Sequence, residues 1–153
     1  MYQKILVPLD GSDLAECVLS HVEALIRGCQ VKNVVFARVV EPFYMPTGDY
    51  VIDPDQAKKI ESEHKAAADA YLKKVSAKIG PAGTSIKTVV LYGKPAEILA
   101  DYASKNQIDL TIIATHGRSG VSKWVWGSVA DRILRSSCTP VFMVRAPGCV
   151  AGI

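Results

Sequence analysis

Five short apolar runs punctuate this chain, none long enough for an ordinary helix. They are Ile5-Leu6-Val7, Val34 through Val40, Ile86 through Tyr92, Leu110 through Ala114 and Pro140 through Val144. Continuous apolar runs of this length read as strands buried on both faces. Between them, apolar residues recur at helical spacing, as in helices with one buried face. The resulting order is βαβαβαβαβ. A chain alternating in this way folds as an α/β domain with a parallel sheet and helices on both faces. We therefore expect a single open five-stranded parallel sheet of the Rossmann-like kind.

The connections sharpen this reading. Pro8-Leu9-Asp10-Gly11-Ser12-Asp13 is a dense turn and cap signal after the first strand. Ser12 or Asp13 is placed to cap the first helix, with Glu16 as the return partner of Asp13. Leu14, Cys17, Val18, His21, Val22, Leu25 and Ile26 recur at helical spacing along that helix, and Gly28 is expected to stop it. Residues 41 to 56, with three prolines and a glycine, read as a long loop. The second helix shows a face of Ile60, His64, Ala67, Ala68, Tyr71, Leu72, Val75 and Ile79, ending in Gly80-Pro81. Its lysines, 58, 59, 65, 73, 74 and 78, read as a solvated face. Pro95 sits at the first position of the third helix, which buries Ile98, Leu99, Tyr102 and Ala103. Val129, Ala130, Ile133 and Leu134 mark the fourth. Residues 1–146 are expected to form one domain and 147–153 a loose tail without periodicity.

Composition removes several function classes. The 153 residues carry 18 basic and 15 acidic side chains, a net charge of +3. That balance is too weak and too mixed to point to nucleic acid or an anionic membrane. No run of about 18 apolar residues exists to propose a membrane span. The four cysteines, 17, 29, 138 and 149, have no CxxC spacing, and a domain with this much apolar core needs no disulfide framework. The chain start lacks the longer apolar region of a signal peptide. The expected location is cytoplasmic.

Parallel sheets of this type bind ligands beyond the carboxyl ends of their strands, where the strand order reverses. Three strand ends are rich in polar or small residues: Pro8 to Ser12, Arg38 to Pro42, and Ala114 to Gly120 continuing to Gly127-Ser128. The third is the most informative. Gly117 and Gly120 allow close approach of backbone to a ligand. Gly127-Ser128 stands at the start of a helix, where unpaired N–H groups and the positive dipole end suit an anion. One such dipole contact contributes only about 0.3–1 kcal/mol when exposed, so several donors must converge. Ser119, Ser128 and Arg118 are further donors there. The competing reading is a loop capped by Ser128. No Gly-x-Gly-x-x-Gly follows the first strand, and no Gly-x-x-x-x-Gly-Lys-Ser/Thr is present, so neither common nucleotide fingerprint applies.

Ala114-Thr115-His116-Gly117, nine residues, then Gly127-Ser128 resembles the ATP-binding signature of universal stress proteins: Gly, two residues, Gly, nine residues, Gly, then Ser or Thr. Ile5 to Ser12 resembles the family's first strand, and Pro140 to Val144 its last. The resemblance covers nearly the whole chain and implies a sheet ordered 3-2-1-4-5 with ATP between the ends of strands one and four. It implies a homodimer through antiparallel pairing of strand 140–144. By position, Asp10 would meet the ribose or adenine end, Pro8 and Leu9 would line its wall, and the Val39 backbone would pair with the adenine edge. Gly117, Gly127 and Ser128 would hold the phosphates, with Val129 contributing backbone. Ile113, Ala114, His116, Arg118 and Gly120 complete the expected adenine-nucleotide site. Mg²⁺ would be carried mainly by the ATP itself.

One position departs from the signature: Ala114 stands where its first glycine would be. A requirement for positive φ there would cost about 1–2 kcal/mol with alanine, whereas a requirement for a small residue would not. Ala114 closes an apolar strand, which favours the second. The function expected is a nucleotide-dependent regulatory switch with an unidentified protein partner and at most slow ATP hydrolysis. Two rivals stand beside it. One is a dimeric interaction protein without nucleotide that uses Trp124 and Trp126. The other is a nucleotidyl-transferring ATPase, whose typical Ser-Gly-Gly-x-Asp-Ser loop Asp10-Gly11-Ser12-Asp13 does not fit. His116 reads as a loop-orienting residue rather than a general base, since no partner acid or nucleophile stands near it in sequence.

Overall fold

A computed structural model of the chain describes residues 2–42, 53–80, 83–115 and 128–145. The five expected strands are present: β1 (Lys4–Pro8), β2 (Asn33–Val40), β3 (Ser85–Tyr92), β4 (Leu110–Ala114) and β5 (Val141–Val144). Four helices join them: α1 (Leu19–Cys29), α2 (Pro54–Ser76), α3 (Pro95–Lys105) and α4 (Ser128–Ser136). A short 3₁₀ turn, Ala15–Val18, leads into α1. All strand pairs are parallel, and the sheet order is β3-β2-β1-β4-β5.

Period-two alternation divides the core into two layers. Ile5, Val7, Val34, Phe36 and Ile112 pack with Val18, Val22 and Ile26 at α1 and with Leu72 and Val75 of α2. Leu6, Val35, Ala37 and Ile113 pack on the other face, with Leu99 and Ala103 of α3 and Ala130 and Ile133 of α4. Strands covered on both faces have no room for polar alternation, hence their continuous apolar runs.

Register opens the sheet at one point. β1 pairs with β2 along its length, from Lys4↔Asn33 to Pro8↔Ala37, and the Leu9 N–H donates to the Ala37 carbonyl at 2.8 Å. With β4 it pairs only at Ile5↔Leu110 and Leu6↔Thr111. Beyond Leu6 the two strands part, and this is where the strand order reverses. At the opposite end the crevice is closed: the Asp109 carboxylate accepts from the backbone N–H of Gln3 at 2.7 Å and of Lys4 at 3.1 Å.

Several local expectations need correction. The entry to α1 is capped by Ser12, whose Oγ accepts from the Ala15 N–H at 3.2 Å. Glu16 does not return to Asp13; it forms an ion pair with Lys78 beyond α2. Gly28 does not stop α1. The helix continues to Cys29, and Gln30 takes the left-handed cap at φ 53°, which lets Val31 turn into the core. Helix α2 begins at Pro54 rather than after residue 56, because Asp53 caps it by accepting from the Asp55 N–H at 3.1 Å and Pro54 suits the first turn.

The expected face of α2 is buried only from Ala68 onward, and Ile60, His64 and Ala67 are not in the core. The cause is length. A 23-residue helix is about 34 Å long, while an 8-residue strand spans about 26 Å. The first half of α2 therefore overhangs the carboxyl end of the sheet. Its five lysines, 58, 59, 65, 73 and 74, are exposed, as expected, and so is Lys78 just beyond it. Leu134 is also 47% exposed rather than buried, since Ala130 and Ile133 already fill the α4 contact. At Gly93, φ is 130° and a Cβ would stand 2.7 Å from Ile98 Cγ1, so the tight entry to α3 requires glycine. The expected tail at 147–153, Trp124, Trp126 and most of the 41–56 loop lie outside the described residues.

Candidate functional site

The parted ends of β1 and β4 frame a cavity of about 650 Å³. That size is ordinary for a small-molecule or cofactor site. β1 supplies Pro8, Leu9 and Asp10, and β2 supplies Ala37 to Val40 with Glu41 after it. β4 supplies Ile113, Ala114 and Thr115; α4 contributes Ser128, Val129 and Ala130 from its first turn. Pro95 and Leu99 of α3 close one side, and His64 and Ala67 of the overhanging α2 form another.

Eight of the expected site residues meet at this cavity: Pro8, Leu9, Asp10, Val39, Ile113, Ala114, Ser128 and Val129. The other five, His116, Gly117, Arg118, Gly120 and Gly127, lie outside the described residues. Among the described residues, the non-glycine positions with positive φ are Gln30 and Gln107, so Ala114 carries no left-handed strain. The departure from glycine at 114 is therefore tolerated by the backbone.

Local hydrogen bonds fix how Asp10 is presented. Its Oδ1 accepts from the Ser12 N–H at 2.9 Å and from the Ser12 hydroxyl at 2.6 Å. Such an Asx turn fixes the orientation of a carboxylate at the strand end through local hydrogen bonds. Beside it, the Arg38 guanidinium stands over the Tyr71 ring, Cζ 5.2 Å from the centroid, a cation–π distance. Burial pushes the Tyr71 phenol well above its ordinary range. The carboxylates of Glu16 and Asp10 push the same way, against Arg38. Glu16 acts on the phenol electrostatically, yet among the described residues no group meets hydrogen-bond geometry with that buried oxygen. Tyr71 therefore stays neutral and serves through its aromatic face.

The arrangement suits a ligand with three chemical parts. Pro8, Leu9, Val39, Ile113 and Leu99 offer apolar wall to a flat ring. Asp10 offers an acceptor to hydroxyl groups. The first turn of α4 offers backbone N–H groups and a positive helix end to an anion. Among the described residues, no three His, Cys, Asp or Glu side chains converge to hold a metal ion. Cys17, Cys29 and Cys138 are free thiols, and burial pushes the Cys17 thiol up, away from reactivity. Among the described residues, no helix is long and apolar enough to cross a membrane.

Arg38, Glu41 and Thr115 lie in strand ends that the sequence singles out but are not among the expected site residues, and nothing in the sequence places His64, Ala67 or Pro95 at the cavity. For Arg38 a signal existed, a lone charge inside an apolar strand. For His64 and Ala67 none did, because their place depends on how far α2 outruns the sheet.

Comparison with known proteins agrees with this fold. Universal stress protein MJ0531 of Methanocaldococcus jannaschii is 29% identical over 96% of this chain and 84% of its own length. The solved structure of MJ0577 from the same organism superposes with a TM-score of 0.83, at 23% identity over 97% of this chain and 99% of its own. A universal stress protein solved in complex with cAMP superposes at 0.68, with 23% identity over 95% and 98% of the two chains. Residues 1–145 match the model of the universal stress protein family, and with its strand order and whole-length relatives the chain belongs to that family.

Proposed function

We propose that this chain is a cytoplasmic ATP-binding regulatory module, a dimeric switch set by nucleotide occupancy and read by a protein partner. The observation that carries this reading is one cavity uniting the Asp10 carboxylate, apolar walls and the first turn of α4. Adenine lies against Pro8, Leu9 and Ile113, with the Val39 backbone at its edge. The ribose cis-diol donates two hydrogen bonds to Asp10, an acceptor-only group when ionised. The phosphates go to the first turn of α4 at Ser128 and Val129. In this reading His116, Gly117, Arg118, Gly120 and Gly127 complete the phosphate side, and Mg²⁺ travels with the phosphates. That a relative of the same fold was solved with cAMP supports an adenine nucleotide. The module holds ATP rather than turning it over, and any hydrolysis is slow.

The test is direct. Protein purified from cells and then denatured is expected to release adenine nucleotide, seen by absorbance and chromatography. Added ATP at a hundred times its Kd stabilises a protein that binds it only when folded by about 2.7 kcal/mol. For a chain of this size that raises the melting midpoint by roughly 5–10 °C. No released nucleotide and an unmoved midpoint would refute the reading, leaving an interaction protein that uses no nucleotide.

The edge of the sheet supports the dimer. β5 is terminal in the strand order, and Phe142 on it is 37% exposed, its ring 5.5 Å from that of His21. An open edge with an exposed aromatic side chain invites pairing, and two-fold antiparallel pairing with a second copy closes it. Phe142→Lys places like charges near the two-fold axis. It is expected to turn a dimer into a monomer in light scattering at micromolar concentration, and a dimer that persists would place the contact elsewhere.

A further inference from the structure

The nucleotide reading leaves Arg38, a charged residue of the cavity wall, without a role. Arg38 precedes Val39 on β2, so its side chain lies on the opposite face of the sheet, with α1 and α2. Two of its contacts bear on the site. Its guanidinium stands over the Tyr71 ring. It also packs against the turn that carries Asp10: a Cβ at Gly11 would stand 3.0 Å from Arg38 Cζ and 3.1 Å from both terminal nitrogens. Gly11 holds φ at 89°, a backbone conformation that favours glycine, and a Cβ there would press on the guanidinium.

We propose that Arg38 is a positioning residue that holds the Asp10–Ser12 turn in place, so that the Asp10 carboxylate is already set for the ribose hydroxyls when nucleotide arrives. Ser12 fixes the orientation of the carboxylate through Oδ1. Arg38 fixes the location of the turn by packing on its glycine. Tyr71 in turn fixes Arg38, because a partly buried ring on α2, packed against the core, is a firm support for a planar cation. A preorganised acceptor binds more tightly because the turn need not be ordered at the moment of binding. The inference rests on the ATP reading with Asp10 at the ribose.

The experiment compares ATP with 2′,3′-dideoxy-ATP, which lacks both ribose hydroxyls, by calorimetry on the whole chain. The unaltered protein is expected to bind ATP about tenfold or more tightly than the dideoxy analogue. Arg38→Met is expected to bind ATP about tenfold more weakly while keeping the original affinity for the analogue, so that the gap closes. Tyr71→Leu removes the support without touching the turn and is expected to narrow the gap in the same way, which covers the case of an Arg38→Met chain that does not fold. Equal losses for both nucleotides would overturn the proposal, since a phosphate contact or general loosening ignores the ribose. Unchanged affinities would overturn it as well. If the unaltered protein binds both nucleotides alike, Asp10 is not at the ribose and the inference falls while the ATP reading stands. If it binds neither, the ATP reading itself falls and takes the inference with it.

Discussion

Asp10→Asn is expected to weaken ATP binding by about ten- to a hundredfold while changing folding stability by no more than about 0.5 kcal/mol. The two effects separate because the substitution keeps the shape of the turn. An asparagine Oδ1 still accepts from the Ser12 N–H and hydroxyl, as Asp10 does now. What disappears is the charge on the acceptor. Hydrogen bonds to a charged group are worth about 1.5–3 kcal/mol, and those between neutral partners about half as much or less. The sign of the change is diagnostic. A carboxylate that merely sat near the phosphates would repel them, and its neutralisation would strengthen binding. Two unit charges about 10 Å apart in water interact by only about 0.4 kcal/mol, so this repulsion is the smaller effect wherever Asp10 truly accepts from the ribose. Calorimetric titration of both proteins decides between them. A gain in affinity for Asp10→Asn would remove Asp10 from the ligand contacts and leave it a turn residue.

The sheet was legible because its signal is local. Each strand is a bounded apolar run, and Pro95, one residue past a glycine turn, marks the start of α3. The alternation of strands and helices then leaves few topologies. The strand ends that form the cavity follow from topology, and the family resemblance places Pro8, Asp10, Val39 and Ala114 within them. Positions set by relative length were not legible. Periodicity assigns Ile60, His64 and Ala67 to the face that buries Leu72, but it carries no information about where the sheet stops beneath them. The same limit explains Gly28. A glycine ends a helix only where the helix runs out of carbonyl partners, and α1 continues until Val31 can reach the core, with Gln30 adopting the left-handed conformation instead. Arg38 was passed over for a different reason. It sits in the segment that supplies Val39, yet its contacts are with Gly11 and Tyr71, 27 residues before it and 33 after it in the chain.

Phe36→Ala is expected to be the most damaging single truncation in the core, lowering stability by about 3–5 kcal/mol. Phe36 is fully buried and, among the described residues, is the largest side chain in that state. It sits on β2, which is paired on both sides, with Val7 of β1 and Thr88 of β3. A strand held by two neighbours cannot move inward to fill a void, so the cavity persists and its energy adds to the lost burial. For a domain of this size the midpoint should fall by roughly 6–20 °C. Typical domains have about 5–15 kcal/mol in total, so the variant should remain folded at room temperature but melt early. The same truncation at half-exposed Leu134 should stay within about 0.5 kcal/mol, which controls for the loss of a large apolar side chain as such. ATP supplies a further control. Because nucleotide binds the folded chain, a hundredfold excess over Kd should restore about 2.7 kcal/mol to Phe36→Ala, most of what the truncation removed. Chemical denaturation with and without ATP measures both quantities in one series. A loss below about 1 kcal/mol would mean that α1 and α2 close over the missing ring, and that the layer supporting Tyr71 and Arg38 is too yielding to hold the Asp10 turn in place.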